Sequence, residues 1–327
     1  MQAVLLKAFG DVSQLYIGET ATPAPGPQDV LVRVRATALN RADLLQRRGI
    51  YPPPAGESEI LGLEAAGEVA EVGREVTRWN VGDRVCALLP GGGYAQYATV
   101  PEGMCMAIPE NLSFEDAAAI PEVFLTAYSN LFWLGGLTAG KRVLVHAGAS
   151  GVGTAAIQLI RVAGAVSFVT ASSQEKLTRC EHLGCTAGWN YRDGSFLPWI
   201  KEQTQGQGVD IILDFVGAPY FTDNIQALAP DGRLIIVGTM AGAEVEKVNL
   251  GYLLARRLQV IGTALRWRPL SEKIRLTAEF ADVAMPQFST GVLKPIVDSV
   301  WNWEEVGQAH LYMEENKNIG KIVLRIR

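Results

Sequence analysis

Three glycines with the spacing G-x-x-G-x-G, Gly148, Gly151 and Gly153, can bring a backbone turn close to a phosphate group. Small residues allow this approach, and the free N–H groups at the start of a helix attract negative charge. The turn follows an apolar segment typical of a buried strand, 142–147, and precedes a helical apolar pattern over 154–163. The spacing departs from the strict G-x-G-x-x-G of dinucleotide-binding turns, so plain strand-to-helix packing is the alternative.

The end of the next predicted strand indicates which dinucleotide such a turn would serve. NAD-binding folds place an Asp or Glu there, on the ribose 2′-hydroxyl. This chain has A-S-S-Q-E-K at 171–176, with no carboxylate at the strand tip. Ser172, Ser173 and Lys176 offer two hydroxyls and an ammonium to a 2′-phosphate, which favours NADPH over NADH. The alternative is that the two serines cap the following helix while Lys176 is solvated.

Alternating strands and helices from residue 141 onward form the frame for these residues. Alternation with short connections implies parallel strands with helices on both faces, and therefore an α/β fold with a Rossmann-like, doubly wound parallel sheet. The predicted strands are 142–147, 166–171, 187–190, 209–215, 233–238 and 258–264.

Residues 1 to about 120 have a different pattern, rich in strands and turns. Strands are predicted at 4–7, 30–36 and 67–72, and one helix at 42–48, which Gly49 and three prolines at 52–54 end. We expect a β-rich catalytic lobe over 1–121, a cofactor-binding domain over 122–265, and a segment over 266–327 that returns to the catalytic lobe.

Two helix starts carry recognisable capping residues. Ser113 with Asp116 resembles an N-cap pair, and Pro121 then predicts a second helix or a kink. Ser271 is expected to cap another helix after Pro269.

Composition narrows the class of protein. The chain has 327 residues, 48% of them hydrophobic and 19% charged, which is typical of a soluble protein of about two domains. A net charge of −5 does not favour binding to nucleic acid or an anionic membrane. No apolar run reaches the roughly 18 residues of a membrane span. Four cysteines without a disulfide framework, and a first segment that reads as a strand, predict a cytoplasmic protein.

Five ordered segments extend the comparison over nearly the whole chain. With them the chain resembles the medium-chain dehydrogenase/reductase superfamily, in its quinone oxidoreductase branch, and is most similar to the tumour-suppressor-inducible type of NADPH:quinone oxidoreductase. The resemblance implies a chaperonin-10-like β-rich lobe and a Rossmann-like cofactor domain. The segments are A-L-N-R-A-D-L-L-Q-R-R-G-I-Y-P (38–52), L-G-L-E-A-A-G (61–67), L-L-P-G-G-G-Y-A-Q-Y (88–97), H-A-G-A-S-G-V-G-T-A-A-I-Q-L (146–159) and N-K-N-I-G-K-I-V-L (316–324).

The residues at the zinc-ligand positions of this superfamily are different here. Zinc-dependent alcohol dehydrogenases have a Cys in the N-terminal loop and a His-Glu pair, where this chain has Asn40 and Leu63-Glu64. The four-Cys structural loop is also missing. We therefore expect chemistry without a metal, and a structural, hydrogen-bonded role for Glu64.

The resemblance also implies the site. Asn40 and Tyr51 would be the catalytic residues, with Asn40 also touching the cofactor. A purely structural role is the alternative for each of three residues. Asn40 would cap its helix, Tyr51 would anchor a loop, and the Thr126 hydroxyl would hydrogen-bond to the backbone of its own helix. The cofactor-binding set would be Asn40, Thr126, Ala149, Ser150, Gly151, Val152, Gly153, Ser172, Ser173, Lys176, Tyr191, Phe215, Val216, Gly217, Gly238, Thr239, Met240, Leu265 and Arg266.

The expected reaction is hydride transfer from NADPH to a quinone, a small-molecule substrate that needs little acid assistance. Tyr51 would hydrogen-bond the developing oxyanion or deliver a proton. Two alternatives stay open: a reductase of 2-enoyl thioesters or other activated alkenes, and an NADPH-binding sensor or crystallin-like protein without turnover. Relatives pair through sheet edges, so a homodimer or homotetramer is expected, with 258–265 as the edge strand or, alternatively, as an interior strand.

Overall fold

The computed structural model describes all 327 residues and divides them into two compact units. The first unit contains Met1–Leu125 and Arg266–Arg327, and the second contains Thr126–Leu265. The first boundary lies inside the third helix.

Fifteen strands and ten α-helices build these units. The strands are β1 (Gln2–Leu6), β2 (Leu15–Glu19), β3 (Asp29–Ala38), β4 (Glu64–Val72), β5 (Arg84–Leu88), β6 (Tyr97–Pro101), β7 (Cys105–Ala107), β8 (Arg142–Val145), β9 (Val166–Ala171), β10 (Ala187–Asn190), β11 (Val209–Asp214), β12 (Leu228–Ile236), β13 (Gln259–Gly262), β14 (Val297–Asn302) and β15 (Lys321–Arg325). The helices are α1 (Arg41–Arg47), α2 (Phe114–Ala118), α3 (Pro121–Tyr128), α4 (Gly151–Val162), α5 (Gln174–Leu183), α6 (Leu197–Gln203), α7 (Ala218–Ala227), α8 (Leu250–Arg256), α9 (Leu270–Ser289) and α10 (Val306–Glu314).

The first unit is built on a seven-stranded sheet with β3 at its centre. The strand order is β14-β15-β3-β4-β5-β7, and β6 also pairs with β3. The last strand, β15, runs antiparallel to β3, with Val323 opposite Ala38. This pairing places residues from both ends of the chain side by side.

The second unit is a six-stranded sheet in the order β10-β9-β8-β11-β12-β13, and every neighbouring pair is parallel. The order turns back between β8 and β11, as in doubly wound dinucleotide-binding folds, where ligands bind at the carboxyl ends of the strands. The central strands β8 and β11 are almost fully buried, because helices cover parallel sheets on both faces. The predicted α/β fold class, with its β-rich companion lobe, is confirmed.

Most predicted elements lie within a few residues of the observed ones, and the differences occur at element ends. Ser113 and Asp116 form a reciprocal capping box at α2, and Pro121 is the first residue of α3 instead of a kink. The prediction for Ser271 is wrong. Helix α9 begins at Leu270, two residues earlier than a cap at Ser271 would place it, and Pro269 takes the N-cap position without a side-chain cap. Proline is favoured near helix starts because no backbone N–H is needed there.

No helix of the chain is both long enough and apolar enough to cross a lipid bilayer.

Candidate active site

The glycine-rich turn lies at the carboxyl end of β8, where α4 begins. A Cβ atom on Gly148 would stand 2.6 Å from the Val169 side chain, and one on Gly153 would stand 2.5 Å from the carbonyl oxygens of Ala147 and Gly148. These two glycines are therefore required for the turn to close. Close packing, the alternative named for this turn, is present.

The same turn also offers free hydrogen-bond donors. Helix α4 has twelve residues and starts after Ser150, whose Oγ accepts the Gly153 N–H at 3.1 Å. The amides of Gly151 and Val152 donate to no group of the chain. Two free N–H groups at the positive end of a helix fit a pyrophosphate, and Ala149 beside them has no side chain large enough to block it.

A buried histidine lies directly beneath this turn. His146 is fully buried, with Nδ1 2.9 Å from Thr170 Oγ1 and Nε2 2.7 Å from Asn224 Oδ1. Burial lowers the pKa of the imidazole to about 4, so His146 is neutral at physiological pH. Thr170 belongs to β9, so the histidine connects the ends of two neighbouring strands.

The network continues into the loop after β11. Asn224 Nδ2 donates to Asp214 Oδ2 at 3.1 Å, and Asp214 Oδ1 accepts the amides of Val216 and Gly217 at 2.7 and 3.2 Å. Because an ionised carboxylate only accepts, the Asn224 amide nitrogen faces Asp214 and its oxygen faces His146. His146 must therefore carry its proton on Nε2. This network was missed by the sequence analysis, although His146 stands immediately before the small-residue turn.

The loops after β11 and β12 pack on each other. The Met240 amide donates to the Phe215 carbonyl at 3.1 Å, and a Cβ on Gly217 would stand 2.4 Å from the Gly242 carbonyl. Gly238 and Thr239 belong to the second of these loops. Since Asp214 accepts the amides of Val216 and Gly217, these two amides are not available to a cofactor.

The predicted 2′-phosphate residues lie at the carboxyl ends of β9 and β10. Ser173 caps α5, with Oγ accepting the Lys176 amide at 3.3 Å, so the capping alternative holds for this serine. Its hydroxyl hydrogen can still be donated to another group. Tyr191 follows β10, whose last residue is paired with Ala171, the last residue of β9, so Tyr191 and Ser172 both follow the ends of neighbouring strands.

In the first unit, Asn40 belongs to a buried ion network. Its Nδ2 donates to Glu64 Oε1 at 2.8 Å, and its Oδ1 accepts from Lys321 Nζ at 2.6 Å. The Lys321 ammonium is also 2.8 Å from Glu64 Oε1 and donates to the Leu39 carbonyl at 2.6 Å. Asn40 is also the N-cap residue of α1, and its amide donates to Asp43. The predicted structural role of Glu64 agrees with this network.

These contacts do not fit a zinc ion. A lysine ammonium lies against the two side chains, Asn40 and Glu64, that stand at the superfamily's zinc-ligand positions. No group of three or more His, Cys, Asp or Glu side chains in the chain is arranged to hold a metal. Zinc requires such ligands.

Tyr51 is held in place by Arg266. The guanidinium stands 5.3 Å from the Tyr51 ring centroid and donates to the Tyr51 carbonyl at 3.4 Å. It also donates to the Pro90 carbonyl at 2.8 Å and to Gln46 Oε1 at 2.7 Å. Trp267 meets the Tyr51 ring edge-on at 6.3 Å. Arg266, which was predicted to touch the cofactor, is only 6% exposed, and its guanidinium holds the loop that contains Tyr51.

Two carboxyl groups of the first unit have raised pKa values, and the sequence analysis identified neither of them. Burial and the charge of Glu64 raise the pKa of Glu122 to about 8, while the Glu122 amide donates to Glu64 Oε2 at 2.9 Å. Burial also raises the pKa of Asp43 to about 6. Burial and Glu122 raise the pKa of the Tyr51 hydroxyl, which keeps it protonated at neutral pH.

The remaining predicted residues stand at the limits of the second unit. Thr126 is its first residue and is 7% exposed, and its hydroxyl makes no hydrogen bond within the helix. Leu265 is its last residue and is 7% exposed. The structure therefore gathers the turn and loop residues at the carboxyl end of one sheet, and Tyr51 with Arg266 in the other unit.

Comparison with known proteins decides the family. Residues 26–110 match the family model of the alcohol dehydrogenase GroES-like domain, and residues 151–281 match that of the zinc-binding dehydrogenases. The human synaptic vesicle membrane protein VAT-1 homolog is 34% identical over 99% of this chain and 86% of its own length. The chain belongs to the medium-chain dehydrogenase/reductase family, in its quinone oxidoreductase branch. Quinone oxidoreductase of Rattus norvegicus is 28% identical over 99% of this chain and 97% of its own length.

Solved structures give the same assignment. Escherichia coli quinone oxidoreductase, solved with NADPH, has a TM-score of 0.90 and 27% identity over 100% of both chains. An NAD-dependent alcohol dehydrogenase reaches 0.88 and 33% over 100% of both chains. The CurK enoyl reductase reaches 0.86 and 28% over 100% of this chain and 99% of its own. A medium-chain oxidoreductase with a nicotinamide cofactor is thereby supported, whereas the tumour-suppressor-inducible type stays a prediction.

Replacing Asn224 tests the network under the loops. Asn224→Leu removes one buried hydrogen-bond partner from Asp214 and one from His146, so we expect the free energy of unfolding to fall by about 1–3 kcal/mol. The displaced loops should weaken binding of the nicotinamide dinucleotide by about tenfold. Denaturant unfolding and fluorescence titration measure these effects, with Thr222→Leu at an exposed position of α7 as control. Unchanged dinucleotide affinity in Asn224→Leu would show that the network does not position the loops.

Glu122 should give the protein a specific pH dependence of stability. Its pKa is raised from 4.5 to about 8, so in this interval the folded state holds a proton that the unfolded state releases. The contribution of Glu122 to the free energy of unfolding must therefore fall as pH rises from 4.5 to 8. Glu122→Gln should remove this contribution. As pH rises across that interval, the unfolding free energy of the wild type should fall relative to that of Glu122→Gln. A constant difference between the two proteins would contradict the raised pKa.

Proposed function

We propose that this protein is an NADPH-dependent quinone reductase that transfers hydride from the nicotinamide to a quinone without a metal. Two features of the second unit together carry the proposal. The start of α4 has free amides, and the end of β9 lacks a carboxylate. The first group suits a pyrophosphate, and the second suits a 2′-phosphate. Ser172, Ser173, Lys176 and Tyr191 would bind that phosphate.

The protein's own residues would bind and orient the reactants. When bound, the cofactor supplies the hydride, and reduction of a quinone to a hydroquinone takes up one further proton. The Tyr51 hydroxyl is protonated at neutral pH and would donate to the quinone oxygen, where negative charge develops. Arg266 holds the loop that carries this hydroxyl, so it acts as a positioning residue. Asn40, whose side chain is held by Glu64 and Lys321, would line the nicotinamide pocket.

One observation favours a second candidate. The fold is close to that of an enoyl reductase, with a TM-score of 0.86. In a 2-enoyl thioester reductase, the same Tyr51 proton would be delivered to carbon instead of oxygen. A non-catalytic NADPH-binding protein is the third candidate and would show binding without turnover.

We also infer a homodimer formed at the outer edge of the second unit's sheet. Strand β13 is at this edge and pairs only with β12. Its Val260 is 41% exposed, and Leu250 and Leu254 of the adjacent helix α8 are 71% and 81% exposed. An uncovered strand edge beside apolar side chains suits pairing with a second copy. Light scattering of wild type and Val260→Lys would show a loss of dimer in the variant. A monomeric wild type would refute the inference.

The four cysteines are buried and unpaired, which suits the cytoplasm proposed for this enzyme.

NADPH oxidation tests the function directly. An ortho-quinone, a para-quinone and a 2-enoyl thioester should be compared, with NADH as the alternative donor and a chelator present. We expect quinone turnover that prefers NADPH and is unaffected by the chelator. Lys176→Ala should raise KM for NADPH about tenfold while changing KM for NADH little, because only NADPH carries the 2′-phosphate.

The other outcomes are equally informative. Turnover of the thioester alone would move the protein to the enoyl reductases, and binding without turnover would make it a sensor. Equal effects of Lys176→Ala on both cofactors would refute the phosphate site, and inhibition by the chelator would refute metal-free chemistry.

A further inference from the structure

Two buried cations of the first unit lack an acidic partner. Arg266 is 6% exposed, and its guanidinium bonds only to neutral acceptors, two carbonyls and the Gln46 amide. Lys273, in the first turn of α9, is 8% exposed. Its ammonium makes neither a hydrogen bond nor an ion pair within the chain. Buried charges are normally paired, so two unpaired cations in one unit need an explanation.

The Lys273 ammonium is not sealed in the interior. It has no hydrogen-bond partner in the chain, but its nitrogen is accessible to solvent. The methylene groups of the side chain are therefore the more deeply buried part, and the ammonium keeps contact with solvent.

The surrounding groups do not cancel this positive charge. Three charged groups act on Lys273: Glu57, Glu122 and Arg266. Glu57 is on an exposed loop, where water and salt screen its charge. Glu122, with its raised pKa of about 8, carries little charge at neutral pH. Arg266 adds a second positive charge, so an anion is the group that this cluster lacks.

The same cluster contains the proposed acid. Glu122 and Arg266, which act on Lys273, also act on the Tyr51 hydroxyl. Arg266 is 5.3 Å from the Tyr51 ring, and Trp267 packs against the edge of that ring. Glu122 and Arg266 therefore link Lys273 and the Tyr51 hydroxyl in one electrostatic cluster.

We propose that Lys273 binds an anionic substituent of the substrate, so that the preferred substrates are quinones that carry a carboxylate or sulfonate group. The inference rests on the proposed quinone reductase function and names the substrate class for it. Tyr51 and Trp267 would contact the aromatic ring, and the Lys273 ammonium would donate to the anionic oxygens. Lys273 is a specificity-determining residue and takes no part in the transfer of hydride.

A matched pair of substrates tests this assignment. We compare kcat/KM for 1,2-naphthoquinone and 1,2-naphthoquinone-4-sulfonate in wild type, Lys273→Met, Lys273→Arg and Arg275→Met. Arg275 is on the same helix with 65% of its side chain exposed, so its variant controls for a general loss of charge. Lys273→Met should lower kcat/KM for the sulfonate about 10- to 100-fold, as expected for loss of a hydrogen bond between charged groups. The unsubstituted quinone should change less than about twofold, and Lys273→Arg should recover part of the loss.

A binding measurement separates this inference from the proposed function. Calorimetric titration with naphthalene-1-sulfonate, which cannot be reduced, should show weaker binding to Lys273→Met than to Arg275→Met. If wild type turns over neither quinone, the proposed function fails, and this titration alone decides whether the anion site exists. Equal losses on both quinones, or unchanged sulfonate binding in Lys273→Met, would overturn the assignment. Circular dichroism verifies that each variant is folded.

Discussion

The Lys321 ammonium and the Glu64 carboxylate form a buried ion pair on which the candidate site of the first unit depends. Both side chains are at most 4% exposed, so each requires the other. The pair connects β15 to β4, and Lys321 also bonds Asn40 at the start of α1. The second oxygen of Glu64 accepts the amide of Glu122 at the start of α3. In zinc-dependent members a metal supplies positive charge to this region, whereas here a side chain of the chain's own last strand supplies it.

In the second unit, a buried network of mostly neutral polar groups holds the loops of the candidate site. The ends of β8, β9 and β11 are connected through His146 and Asn224, and only Asp214 carries a charge. Because every donor in this network of hydrogen bonds has an acceptor, the loops after these strands have one favoured arrangement. The amides of Gly151 and Val152 are left out of the network, which is the condition for them to serve a ligand. The amides of Val216 and Gly217 donate to Asp214, so they hold the loop in place and do not serve a ligand.

Local patterns explain why the fold was predictable and much of the site was not. Buried parallel strands read as apolar runs, so all six strands of the second unit were found, and the Ser113–Asp116 cap is visible within four residues. The contact between Arg266 and Tyr51 spans 215 residues, and that between His146 and Asn224 spans 78. No periodicity encodes such pairs. The cap was wrongly predicted at Ser271 because capping propensity ignores the φ angle that Pro269 imposes two residues earlier.

The polar groups that have no partner within the buried hydrogen-bond networks are the ones available to a ligand in each unit. In the first unit, Glu64 is paired with Lys321, and Glu122 is largely protonated at neutral pH. Protonation of Glu122 follows from its burial beside Glu64, because two close carboxylates cannot both ionise without cost. It removes the negative charge that would otherwise pair with Lys273. The ion pair that orders the site thus also leaves one cation available, so the same interaction that fixes the Tyr51 surroundings sets their preference for an anion.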